Sequence, residues 1–206
     1  MQTDVRSEIA AQRTELADLL AGLSEQQWDA PTLCAGWRVR EVVAHVTYPF
    51  RTRAPRFFLD LARAGGRFDR MADRVARRDA TAMSAARLLA QVRDNVEHPW
   101  SPPGGGAAGA LSHDVIHGLD ITLALFPERP VPSGRMAVVL GGMSPRSIGW
   151  FGTDLSGVRL VATDLEWTFG AGEPVRGRAQ DLLMVVCGRR LPTGLLTGTA
   201  AARYTG

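Results

Sequence analysis

The sequence predicts a mainly α protein: a four-helix bundle over residues 1–130 and a small C-terminal α+β segment, a β-hairpin plus a helix, over residues 131–206. Three observations predict it. Apolar residues recur at helical spacing in four long stretches of the first 126 residues. Strand-like alternation appears only after residue 157. The 206 residues, 45% apolar and 22% charged, are enough for a real core and exclude wholesale disorder.

The first helix follows from Val5, Ile9, Leu16, Leu19, Leu20 and Leu23, with Arg6, Arg13, Glu15 and Asp18 between them. Thr3 or Asp4 caps its start, and Gly22 marks its end. Ser24-Glu-Gln-Gln27 reads as a capping box. Residues 28–37 form a structured loop, punctuated by Pro31 and Gly36 and anchored by Trp28 and Trp37. A second helix starts near Arg38 on a stripe of Val39, Val42, Val43, Val46 and Phe50. It continues through Phe57, Phe58 and Leu61, bent near Pro49 or Pro55, until Gly65-Gly66. Residues 67–79 read as a short surface helix, and a third long helix runs from about Thr81 to Val96. The glycine- and proline-rich stretch 98–106 is the expected flexible loop and a candidate lid. The fourth helix, about 107–126, carries Leu111, Val115, Leu119 and Leu123. Beyond it the pattern gives a helix near 133–144, two strands at 158–162 and 165–169 turning at Thr163-Asp164, and a helix from Arg178 to Cys187. The last fifteen residues are weakly patterned and expected to be loosely attached.

The formal net charge is +3, and all 24 basic residues are arginine. A lysine-free chain rich in Ala, Arg and Gly points to a GC-rich genome. No basic block with interleaved aromatics is present, so nucleic acid is not an expected partner. Two cysteines, Cys34 and Cys187, make no disulfide framework. Cys34, among tryptophans, is expected to be a buried structural thiol. No apolar leader precedes the first helix, and no run of about 18 apolar residues exists. The expectation is a cytoplasmic protein with a small-molecule substrate and no membrane partner.

Only four histidines are present. His113 and His117 stand at i and i+4, about 6 Å apart along one helix face, which lets one helix give two imidazoles to one metal ion. His45 flanks the valine stripe of the second helix, which a bundle can bring against the fourth. Three protein ligands leave a coordination position open, the pattern of catalytic rather than structural zinc sites. Asp114 and Asp120 flank the pair, and Asp120, three residues past His117, is placed to accept a ring N–H. His98 is expected to be solvent-exposed.

These residues carry a family resemblance. Trp28-Asp-Ala-Pro-Thr-Leu-Cys-Ala-Gly-Trp-Arg-Val-Arg-Glu-Val-Val-Ala-His45 resembles the N-terminal signature of the mycothiol-dependent maleylpyruvate isomerase family, within the DinB-like superfamily. His113-Asp-Val-Ile-His117-Gly-Leu-Asp120 is similar to its metal-binding helix. Val175-Arg-Gly-Arg-Ala-Gln-Asp-Leu-Leu-Met-Val-Val-Cys-Gly-Arg189 looks like the end of its C-terminal segment. The resemblance implies a DinB-like four-helix bundle that binds a divalent metal, usually zinc, through His45, His113 and His117. It also implies mycothiol, the actinobacterial thiol, as cosubstrate. Bundles of this superfamily often dimerise, so a homodimer is one expectation. The chain departs from the isomerase at His113, where the isomerase has glutamate. That change raises the net charge of the centre and sets maleylpyruvate isomerisation itself apart from this sequence.

The function expected from this combination is activation of the thiol for transfer to, or thiol-assisted isomerisation of, a small electrophile. Arg189 is the residue expected to hold polar groups of the cofactor. Two alternatives stand beside it. One is a hydrolase using a metal-bound water, for which Glu41, one turn before His45, is the only candidate general base. The other is a non-catalytic binding module.

Overall fold

The computed structural model describes residues 4–144, 148–149 and 151–206. It divides into two compact units, Asp4–Ile121 and Thr122–Gly206, each taken here by itself.

The first unit contains α1 (Val5–Ala21), α2 (Glu25–Trp28), α3 (Val39–Arg51), α4 (Ala54–Arg63), α5 (Phe68–Ala82), α6 (Ala85–Arg93) and most of α7 (Gly106–Leu125). Asp4 caps α1 by accepting from the Arg6 amide at 3.0 Å, whereas Thr3 lies outside the described residues. Ser24 and Gln27 form the expected capping box of α2. The loop after it is tied at Pro31–Arg38 and anchored by Trp28 and Trp37, both buried. Helix α3 packs on α5 and α6, and α1 packs on α6. Buried in this unit are Leu16, Leu20, Val39, Val42, Val43, Leu88 and Val92 of these helices and Leu111, Val115 and Leu119 of α7.

Three expected boundaries differ. The second helix is two helices: Pro49 stays inside α3, the chain leaves helical geometry at Thr52, and Pro55 sits in the first turn of α4. A proline is welcome in a first turn, where its missing N–H has no intrahelical partner to lose. The segment read as a short surface helix is the fifteen-residue α5, whose Met71, Val75, Ala76 and Ala80 are buried. The helix expected from Thr81 to Val96 is instead the nine-residue α6, because Ser84 caps it by accepting from the Arg87 amide. Between α1 and α7, Gly118 permits a close approach, since a Cβ there would lie 2.8 Å from Gln12 Nε2.

The second unit holds α8 (Ser133–Gly141), β1 (Val158–Ala162), β2 (Thr168–Gly170), β3 (Glu173–Gly177), α9 (Ala179–Val186) and a 3-10 turn at Ala201–Tyr204. The expected antiparallel pair, β1 and β2, is present, with Leu160 opposite Phe169, but β2 begins at Thr168 rather than 165 and the connection spans 163–167 instead of a tight turn at Thr163-Asp164. A third strand was not expected. β3 lies parallel to β1 on its other edge, with Leu160 opposite Val175, so the order is β2-β1-β3. The close return is made at Gly172 (φ +126°), where a Cβ would collide with the Gly157 carbonyl. The last residues are held rather than loose. Leu191 bridges to Thr205, Thr197 bridges to Arg176, and Leu191, Leu196 and Tyr204 are buried.

Candidate metal centre

The first unit brings the three histidines together. His45 comes from α3, His113 and His117 from successive turns of α7, and one ligand nitrogen from each lies within 4.8 Å of the others. The ring centroids are 4.7 Å (His45–His117), 4.8 Å (His113–His117) and 5.3 Å (His45–His113) apart. Two ligands of a tetrahedral zinc ion stand roughly 3.4 Å apart, a contraction within reach of side-chain rotation.

Local structure sets each position. The Arg38 amide and guanidinium both bond Glu41, which lies one turn ahead of His45 and fixes the start of α3. The 28–37 loop is fastened to α7 by the Leu33 amide donating to the Asp120 carbonyl at 3.0 Å. It carries Trp37, whose indole N–H donates to Asp73 at 2.8 Å. The Trp37 ring lies 5.1 Å from His45 and 6.5 Å from His117, while Trp100, from the 98–105 loop, stands edge-on 5.1 Å from His113. These two indoles give the half-buried imidazoles an apolar wall.

Each histidine of α7 also meets a buried carboxylate. His117 Nδ1 lies 3.0 Å from Asp120 Oδ2, as the spacing predicts, and His113 Nδ1 lies 3.1 Å from Asp114 Oδ1. A carboxylate oxygen beside Nδ1 favours, in the neutral imidazole, the tautomer with the proton on Nδ1 and the lone pair on Nε2. That is the tautomer a metal ligand needs, and the donor set suits a borderline-soft dication such as zinc. Behind Asp114 stands Arg13, 1% exposed, with Nε 2.7 Å from Asp114 Oδ2. In sequence, Arg13 stands among the polar residues of the first helix and Asp114 only beside the histidine pair. The signal was present: Arg13 shares one helical stripe with Ile9, Leu16 and Leu20.

Other expectations change. His98 is half-buried against Phe50, with ring centroids 5.0 Å apart, and its Nδ1 accepts from the Trp100 amide at 3.1 Å. Burial, with Arg13 adding to it, holds its pKa below the ordinary histidine value. Cys34 is half-buried rather than buried; Cys187 is the buried thiol. Glu41 is buried and committed to Arg38, 2.6 Å away. Burial works to raise its pKa, but hydrogen bonds from Arg38 outweigh it and hold the carboxyl below its usual range.

In the second unit, Arg189 is half-buried and donates from Nη1 to the Cys187 carbonyl at 3.1 Å. It lines an open cavity of about 570 Å³ together with Asp154, Arg190, Arg203 and Tyr204.

Fold and site thus define a helical-bundle protein with a three-histidine cluster suited to a divalent metal. The sequence matches the family described as the mycothiol maleylpyruvate isomerase N-terminal domain over residues 9–155, and the chain belongs to that family. Among solved structures it is similar to a mycothiol-dependent maleylpyruvate isomerase and to a histidine-to-alanine mutant of that enzyme. In both, the identity is 14%, the TM-score 0.52, and the match covers 96% of this chain and 92% of the other. At that identity the likeness establishes the fold. No curated protein matches the sequence.

Proposed function

We propose that this protein is a metal- and mycothiol-dependent cytoplasmic enzyme acting on a small electrophile by thiol transfer or thiol-assisted isomerisation. The observation that carries the reading is the convergence of His45, His113 and His117, with a buried carboxylate on the far nitrogen of each α7 histidine. Membership of a mycothiol-linked family supports the choice of thiol. A divalent metal, with zinc the best fit, would supply a Lewis acid able to deprotonate a thiol whose pKa in water is about 8.5. The chain's own residues do the rest. Asp114 and Asp120 hold the Nδ1 protons and aim Nε2 inward. Trp37 and Trp100 keep water from two sides of the cluster. Arg189 is assigned to the polar groups of the cofactor, and Arg189→Ala is expected to weaken thiol affinity. Unchanged affinity would remove it from the site. The hydrolase alternative is disfavoured because Glu41, its only candidate base, is bound to Arg38 and the start of α3.

The decisive experiment is metal content by mass spectrometry on untagged protein beside a His113→Ala/His117→Ala double variant. About one zinc per chain, lost in the variant, would justify screening electrophiles with mycothiol. No metal after reconstitution would overturn the enzyme reading and leave a binding module.

A further inference from the structure

We propose that Arg13 is a positioning residue of the metal centre: through Asp114 it holds His113 in the tautomer that presents Nε2 to the ion. This rests on the metal reading above.

Arg13 stands between Ile9 and Leu16 on the buried stripe of α1, where helical spacing calls for an apolar residue. Burying a guanidinium there is costly, and a buried ion pair generally does no better for stability than well-packed apolar side chains. The consequence of this pair is therefore to be sought in what its carboxylate touches. Asp114 Oδ2 is held by Arg13 Nε at 2.7 Å, and this leaves Oδ1 to His113 Nδ1 at 3.1 Å. With one oxygen fixed, the carboxylate cannot turn away from the imidazole.

The guanidinium is itself clamped. Its Nη1 donates to the carbonyls of Asn95, Val96 and His98 at 3.2, 3.2 and 2.8 Å, and its carbon lies 4.7 Å from the centre of the Phe50 ring. The same carbonyls begin the loop that brings Trp100 against His113. One side chain thus ties the far nitrogen of a ligand and the loop beside it to α1. Without Arg13, Asp114 loses the bond that orients it, and both tautomers of His113 become accessible. His117, which has its own carboxylate in Asp120, serves as an internal reference.

The test combines ¹⁵N NMR of the imidazoles in the full-length metal-free protein with zinc affinity from competition against a chromogenic chelator. In the wild type, His113 and His117 are both expected as the Nδ1–H tautomer. Arg13→Met is expected to convert His113 to a mixture while leaving His117 unchanged. It should lower zinc affinity ~10–100-fold, as loss of a ligand's outer hydrogen-bond partner does. Asp114→Asn should do the same, and the Arg13→Met/Asp114→Asn double variant should be no weaker than the worse single one. Asp60→Asn, a buried carboxylate away from the cluster's hydrogen bonds, should leave zinc affinity unchanged. A folded Arg13→Met protein with His113 still fully Nδ1–H, or with affinity within twofold of wild type, overturns the proposal. Equal shifts of His113 and His117 also overturn it, since they would mean general loosening. If Arg13→Met does not fold, Asp114→Asn carries the same comparison, and an unchanged His113 tautomer there defeats the idea. A wild type that takes up no zinc overturns the metal reading and with it this role of Arg13, whereas zinc uptake by a wild type whose Arg13→Met variant keeps the His113 tautomer overturns Arg13 alone.

Discussion

A histidine can bind a metal through either ring nitrogen, and in α7 aspartates at two different offsets make the choice. Asp114 follows His113 directly, and Asp120 lies three residues past His117. The second offset is the familiar helical neighbour and was legible in the sequence; the first depends on a side chain folding back beside its own neighbour and was not. Asp120→Asn is expected to reduce zinc affinity about 10–100-fold, measured by chelator competition. A buried carboxylate elsewhere gives a different signature. Asp60 accepts from Tyr48 and Arg56 at 3.1 and 3.0 Å, with Arg78 close by. Burial pushes its pKa up, but these hydrogen bonds and the Arg78 charge outweigh that and hold it below the ordinary value. Its contribution to stability is therefore present above the unfolded-state pKa of about 3.9 and is lost as pH falls through the lower folded value. Asp60→Asn should cost about 1–3 kcal/mol at pH 7, and the gap to wild type should close in acid denaturation series below about pH 4.

Among the elements, those with a continuous apolar stripe came through from the sequence: α1, α7 and α9 stand close to where periodicity puts them, and α3 starts where it was expected. What failed was punctuation. Pro49 is tolerated inside α3, and the break falls at Thr52, which carries no breaker signature. The arginine-rich stretch 67–79 hides its apolar positions among charges, so α5 reads as surface although it packs on α3. β3 was invisible because Glu-Pro-Val-Arg-Gly has a single strand-forming residue; its place is decided by pairing with β1, a non-local contact. That pairing makes a specific demand on the turn before it. Gly172→Ala would force a Cβ onto the Gly157 carbonyl at a backbone angle only glycine accepts readily. It should destabilise the C-terminal unit by about 1–3 kcal/mol in urea unfolding, while leaving zinc uptake by the bundle intact.

At the scale of the whole molecule, all three histidines of the cluster lie in Asp4–Ile121, so the proposed metal site belongs to the bundle unit. Binding to the folded state alone raises stability by about 2.7 kcal/mol when free zinc is a hundred times its Kd. For a domain of this size that corresponds to a Tm rise of roughly 5–10 °C, absent in the His113→Ala/His117→Ala variant and reversed by chelator. The mainly α architecture and the His113/His117 pair were legible because both are written in local spacing, while His45 joined them through the expected bundle and the family resemblance. The supports of the site, Arg13 from α1 and Trp37 and Trp100 from two loops, come from segments far apart in sequence, and only folding brings them to His45 and α7.

The indole wall has an optical consequence. Trp37 and Trp100 each lie 5.1 Å, ring to ring, from a histidine of the cluster, and they are two of five tryptophans in the chain. A paramagnetic ion such as Co²⁺ or Cu²⁺ seated among those imidazoles would quench their emission at close range, whereas diamagnetic zinc would not. The proposed site would thus report on the ion seated in it: titration with Co²⁺ should dim part of the intrinsic fluorescence, and zinc added afterwards should restore it by displacement.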